Sequence, residues 1–409
     1  MTSPAQAPHH LDVVIVGAGP AGSTTAISLL QHAPGMRVAL VDAAAFPRDK
    51  TCGDGLGPGV ARVLDALGLR HVLDGAVSPR AIRVVGPDGR VVSGHYRDID
   101  GGWLRGHVLP RRIFDTRLVD EARAVGAEVM TARFVRTDVV ADHRRVVLRS
   151  IDGEHHLTAG VLVGADGANS SVRRAIGLRR ARDAHRLIAM RGYAHTPAWD
   201  AADALHFEFP AHLLPGYAWA FSPGRELTNL GVSVPLLDLQ RGDVRLRDHF
   251  DAFVASLRQR GVRVHSVENV RAHHLPHAAG FGPSATTRAI VIGDAAAAIN
   301  PLSGEGIHYA MRSGMTLGRE LASVGRDADP GTAIRRFTRS NRRALRRHFH
   351  DCLLAHRLLR NRRLARRSIA AAEDPAVLDA TARMLFDDGH LTGTTLIGMV
   401  RNRRYEPVR

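Results

Sequence analysis

Cysteine is nearly absent: Cys52 and Cys352 are the two in 409 residues. That excludes a disulfide framework and a thiolate metal cluster, and it fits a reducing compartment. Lysine is rarer still, since Lys50 is the only one and every other permanently basic side chain is arginine. Aromatic residues are scarce, with 3 Trp, 5 Tyr and 12 Phe. A short segment that gathers several of them is therefore informative. No apolar run approaches the ~18–20 residues needed to cross a bilayer. Residues 1–10 are polar, carry Pro4 and Pro8, and lack the charged start and apolar stretch of a signal peptide. The expectation is a cytoplasmic protein, peripheral to a membrane at most.

What is present fits a folded chain. Hydrophobic residues make up 44% and charged residues 23%, which excludes a mainly disordered polypeptide. At ~100–200 residues per domain, two or three domains are expected. The net charge of +16 admits nucleic acid, an anionic membrane surface or anionic small molecules as partners. No nucleic-acid recognition module is visible, so nucleic acid is set aside.

Residues 11–16 form a short run rich in Val and Ile, the pattern of a strand buried on both faces. Gly17-Ala18-Gly19-Pro20-Ala21-Gly22 follows, then a helical stretch to about residue 31, then a second apolar run ending at Asp42. In such a unit the first glycine allows a tight turn and the second lets the backbone approach a pyrophosphate. The third lets helix and strand pack, and the helix N-terminus attracts phosphate. Asp42 lies 25 residues after Gly17, near the ~20 expected of an acid that binds a ribose. This is a dinucleotide-binding pattern, with a Gly-rich turn in an ordinary α/β domain as the plainer reading.

Two later strings follow apolar runs of their own. Gly164-Ala165-Asp166-Gly167-Ala168-Asn169-Ser170-Ser171 continues the run at 161–163. Gly293-Asp294-Ala295-Ala296 continues the run at 289–292 and leads to Asn300-Pro301-Leu302-Ser303-Gly304-Glu305-Gly306-Ile307. The first resembles the DG motif of flavoprotein hydroxylases. The second resembles the second FAD fingerprint of the same superfamily. Together with the glycine motif they resemble the para-hydroxybenzoate hydroxylase-like FAD fold.

Three further segments are similar to the geranylgeranyl reductase family. They are Phe46-Pro47-Arg48-Asp49-Lys50-Thr51-Cys52-Gly53-Asp54-Gly55, Arg111-Arg112-Ile113-Phe114-Asp115, and Leu214-Pro215-Gly216-Tyr217-Ala218-Trp219-Ala220-Phe221-Ser222. The last departs from the family's P-x-x-Y-x-W-x-F-P pattern at both ends, at Leu214 and Ser222.

The resemblance implies FAD, held by Gly17, Ala18, Gly19 and Gly22 at the pyrophosphate and by Asp42 at the ribose. Cys52, Gly53, Asp54, Arg111, Asp166, Asp294, Pro301, Gly306 and Ile307 are expected along the rest of the cofactor, with the backbone of Val135 at the adenine. Tyr217, Trp219 and Phe221 are expected to line a substrate tunnel, since alternate residues of one strand share a face. Ordinary sheet core is the plainer reading of that wall. Cys52 is read either as a catalytic group beside the flavin or as a packed thiol. No metal is expected.

The fold implied is α/β: a Rossmann-like FAD-binding domain with an inserted antiparallel-sheet substrate domain and a C-terminal helical segment. Residues 11–85, 105–180 and 281–330 fall in the FAD domain, 86–104 and 181–280 in the substrate domain, 331–409 in an Arg-rich helical region, and 1–10 in a flexible N-terminus.

The activity implied is reduction of carbon–carbon double bonds of a polyprenyl or other hydrophobic substrate. No second nucleotide fingerprint is visible, so NAD(P)H or a ferredoxin-type donor is expected as a transient reductant. An FAD monooxygenase acting on an aromatic or terpenoid compound is the alternative, because the three FAD motifs report the cofactor and not the reaction. The Arg-rich tail reads either as a solvated helical face or as a peripheral membrane contact.

Overall fold

A computed structural model describes residues 9–95, 106–197, 199, 203–224, 226–277, 284–326, 328–391 and 393. The segment expected to be a flexible N-terminus lies outside these residues up to residue 8, and strand β1 (His9–Val16) begins directly after it. Residues 96–104 of the expected substrate domain, and the chain from 394 onward, also lie outside them.

The first sheet is built on β1, whose apolar residues are buried on both faces. It pairs in parallel with β2 (Val38–Asp42) and with the second half of β10 (Gly153–Gly164). β7 (Glu128–Thr131) extends one side and β17 (Ala289–Val291) the other, both parallel. β16 (Ala285–Thr286), β8 (Arg133–Val140) and β9 (His143–Ser150) are antiparallel additions. A two-stranded ribbon of β3 (Gly55–Leu56) and β6 (His107–Val108) lies apart.

The second sheet has the order β15 (Val267–Pro276), β11 (Arg186–His195), β14 (Leu227–Pro235), β13 (Tyr217–Phe221), β12 (Ala204–Glu208), β4 (Ala81–Val85), β5 (Val91–His95). It is antiparallel except where β4 and β12 run parallel. β4 therefore pairs into the second sheet, although residues 81–85 were expected in the FAD domain. The β4–β5 hairpin enters the sheet as one unit and cannot be divided at residue 86.

Helices cover both sheets. α1 (Pro20–His32), α2 (Pro58–Leu67), α3 (Arg111–Ala124) and α7 (Ile307–Val324) pack on the first. α4 (Ser171–Ala175) and α5 (Leu236–Arg241) are single turns. α6 (Leu246–Gln259) buries Phe250, Phe253, Val254 and Leu257 against one face of the second sheet.

The other face of that sheet meets α9 (Arg362–Ala371) and α10 (Pro375–Phe386) through Ile369, Ala382 and Phe386. α8 (Pro330–Leu359) starts at an Asp329 cap and buries Ile334, Phe337, Leu345, Phe349 and Cys352. This is the spacing of an amphipathic helix whose other face is wet. Among the described residues no helix is long and apolar enough to cross a membrane. The α/β class, the Rossmann-like first unit and the C-terminal helices agree with the expectation from sequence.

Candidate functional site

The carboxyl ends of β1, β2, β10 and β17 meet at one crevice, where ligands bind in open α/β sheets. Gly17 holds φ at +103°, and a Cβ there would stand 2.3 Å from the Ala165 carbonyl oxygen. At Gly22 a Cβ would stand 1.9 Å from the Gly17 carbonyl oxygen. These two glycines let turn, helix and neighbouring strand touch. Gly19 caps α1 and lies on the crevice, beside the Arg48 guanidinium.

Asp42 ends β2 and is fixed from both sides. Its Oδ2 accepts from the Ala18 amide at 2.9 Å and from Arg48 at 3.2 Å, and its Oδ1 accepts from the Ala44 amide at 3.1 Å. A carboxylate offers about four acceptor sites, so one stays open toward the crevice. Arg48 continues to the buried Asp115 at 3.3 Å, and Asp115 receives two bonds from Arg111 at 2.6 and 2.8 Å. Burial opposes the Arg111 charge, yet Asp115 raises its pKa above the usual arginine value. The Arg111 charge also acts on the neighbouring Cys52 thiol. A connected polar path thus runs from Asp42 to Arg111.

Much of this faces one cavity of about 580 Å³. Gly17, Gly19, Asp42, Cys52, Gly53, Arg111, Asp166, Asp294, Gly306 and Ile307 line it, and so do Tyr217, Trp219 and Phe221. Burial raises the pKa of Cys52 and of Asp294, and it lowers that of Lys50. Lys50 Nζ lies 2.8 Å from His273 Nε2. Burial, with Lys50 beside it, holds His273 at about 3, so that ring is neutral. Burial raises Glu305 to about 7.

The residues present fit FAD. The helix N-terminus and Arg48 suit a pyrophosphate, Asp42 suits a ribose, and the cavity continues past Asp294 to an apolar end. There β13 splits its side chains by parity. Tyr217, Trp219 and Phe221 pack in one cluster with Phe207 and Phe386, while Ala218 and Ala220 pack in another. The Phe207 and Phe221 rings lie edge-on at 5.1 Å. Tyr217 donates to the Ser303 carbonyl, which ties this wall to the loop before α7.

Several expected residues lie elsewhere. Ala18 and Gly22 are buried in the turn and off the cavity lining. Asp54 is fully buried behind it, at φ +62°, and accepts from Tyr193 Oη at 2.5 Å and Asn229 Nδ2 at 2.9 Å. Its role is to hold the Cys52 loop against the second sheet. Pro301 is buried, and Ile299 and Ser303 line the cavity in its place. Val135 is exposed, while Arg133 and Phe134 line the cavity. Asp166 is on the lining, but its carboxylate is occupied by Ser170, Ser171 and the Val172 amide.

Sequence reasoning missed Arg48, Lys50, Asn229, His273 and Glu305. Three of these stood inside motifs already singled out. Asn229, which bonds the Cys52 carbonyl at 2.8 Å, carried no local signal.

The FAD binding domain family model matches residues 10–347. The chain is 33% identical over 333 residues to a menaquinone reductase of Mycolicibacterium smegmatis, covering 79% of this chain and 78% of that protein. It is 29% identical over 339 residues to digeranylgeranylglycerophospholipid reductase 1 of Methanopyrus kandleri, covering 80% and 84%. A geranylgeranyl bacteriochlorophyll reductase-like protein from Thermoplasma acidophilum shares the fold with a TM-score of 0.79 at 18% identity over 97% of both chains. The flavin-dependent brominase Bmp2 also shares it, with a TM-score of 0.73 at 18% identity over 96% of this chain and 98% of that one.

Proposed function

Since the chain belongs to the FAD binding domain family, as a flavoprotein of the geranylgeranyl reductase type, we propose that this FAD-dependent oxidoreductase saturates carbon–carbon double bonds in the isoprenoid side chain of a prenylated lipid or quinone. One observation carries the reading: the aromatic wall of Tyr217, Trp219, Phe221 and Phe207 is continuous with the cavity that fits the cofactor.

FAD, when bound, supplies the two-electron redox chemistry. The amides of α1, Arg48 and Asp42 hold its dinucleotide end, and Asp294 and the backbone at Gly306 and Ile307 hold the end nearer the substrate. Arg111 orients the Cys52 loop. An isolated alkene accepts electrons at one carbon as it gains a proton at the other. The half-buried Cys52 stays protonated at Sγ at neutral pH and can hold that proton. The aromatic faces exclude water, grip the apolar chain and stabilise positive charge that develops on carbon.

The reductant is a transient donor, NAD(P)H or a ferredoxin-type protein. The exposed Arg336, Arg339, Arg343, Arg346 and Arg347 of α8 have no acidic partner among the described residues. They suit an anionic lipid surface from which such a substrate is drawn. Anaerobic turnover of FAD-loaded protein with a prenylquinone, followed by mass spectrometry, tests the reading.

A further inference from the structure

The loop before α7 closes on itself. Glu305 lies on the cavity lining, and its Oε1 accepts from the His308 amide at 2.8 Å, while the Ile307 amide beside it favours the charged carboxylate. These are the first free N–H groups of α7, and an ordinary helix start leaves four such groups unpaired. They are also the groups that the proposed reading assigns to the cofactor's carbonyl-bearing ring edge. One set of donors cannot fully serve both acceptors.

We propose that Glu305 is an internal competitor for the α7 amides, and that cofactor binding displaces its carboxylate and couples to uptake of one proton by Glu305. The inference rests on the FAD reading and adds a regulatory residue to the same site. The displaced carboxyl stays on the lining of a mostly apolar cavity, where an unpaired charge is costly. Taking a proton at Oε removes that cost.

The neighbouring charges are few. Asp294 on the preceding loop disfavours the charged form of Glu305, and Arg111 on α3 favours it. Tyr217 on β13 and Tyr309 on α7 feel its charge and stay neutral. Lys50 and Cys52 sit on the facing loop.

The sign follows from linkage. Burial places Glu305 near 7 while it caps α7, and losing amide support raises it further. The bound form then holds more protons than the free form at pH above about 7. Affinity for FAD is flat below that pH and falls above it, by up to ~10-fold per pH unit for one coupled proton.

The test titrates apo-protein with FAD from pH 5.5 to 8.5 by flavin fluorescence, for wild type and Glu305→Gln. The expected result is a falling wild-type affinity above pH 7 and a flat profile for the variant. A flat wild-type profile, or a variant that keeps the slope, overturns the proposal. Should the variant fail to fold, calorimetry of wild type in two buffers of different ionisation enthalpy counts the protons. Uptake near one at pH 7.5 supports the proposal, and none overturns it. Absence of FAD binding at every pH sinks the underlying reading as well, whereas pH-independent binding sinks this inference alone.

Discussion

Arg191 Nη2 lies 2.7 Å from both carboxylate oxygens of Asp49, and the arginine side chain is 1% exposed. Arg191 belongs to β11 of the second sheet, and Asp49 to the loop that carries Lys50 and Cys52. The pair pins the cavity's facing loop to the substrate sheet. Asp49→Asn leaves a buried guanidinium without its counter-charge. We expect a loss of about 2–4 kcal/mol, the lower part of the range for breaking a buried pair because Asp49 is partly exposed. Chemical denaturation reads it, and Arg191→Met combined with Asp49→Asn should recover part of the loss.

Asp42→Ala removes the acceptor at the end of β2. Hydrogen bonds to a charged group contribute about 1.5–3 kcal/mol, so FAD affinity of the apo-protein should fall roughly 10- to 100-fold. Asp42→Asn keeps an oxygen for the Ala18 amide and should fall less.

Gly231 lies directly across from Trp219 in the β13–β14 pair, and a Cβ there would stand 2.1 Å from the indole. Gly231→Ala must push the ring off its seat and strain its 3.1 Å bond to Asn229. Overpacking of this kind costs about 1–3 kcal/mol. The near-ultraviolet signal of Trp219 should change, and KM for a prenyl acceptor should rise while FAD affinity holds.

Three buried histidines and the half-buried His273 resist protonation. Burial holds His273 and His277 at about 3 and His308 and His356 at about 4. The unfolded chain takes up protons at these rings near pH 6.5 and the folded chain does not. Their contribution is present above pH 6.5 and is lost as pH falls from there toward 4. Glu305 acts in the opposite sense, since its raised pKa lets the folded state bind a proton below about 7. The net expectation is a Tm that drops steeply below pH 6, checked by thermal unfolding across pH 4–8. A Tm constant over that span contradicts it.

The three glycine-bearing turns were legible because each is local: strand, turn and helix follow one another within a few residues. The alternation in β13 was legible for the same reason. Asp54 was not, since its partners Tyr193 and Asn229 lie 139 and 175 residues away. Val135 fails on parity: β8 turns residue 135 outward and Phe134 inward, and the register shifts between Phe134 and Arg136. Glu305 stood in a quoted motif, but its raised pKa comes from desolvation that only the packed fold supplies.

The central claim is tested most directly by one measurement. FAD-loaded protein is reduced chemically without oxygen, given a polyprenyl quinone, and the extracted lipid is weighed by mass spectrometry. The account predicts a product heavier by two hydrogens in the isoprenoid chain. An unchanged chain under these conditions, together with an added oxygen atom when air is admitted, would contradict it.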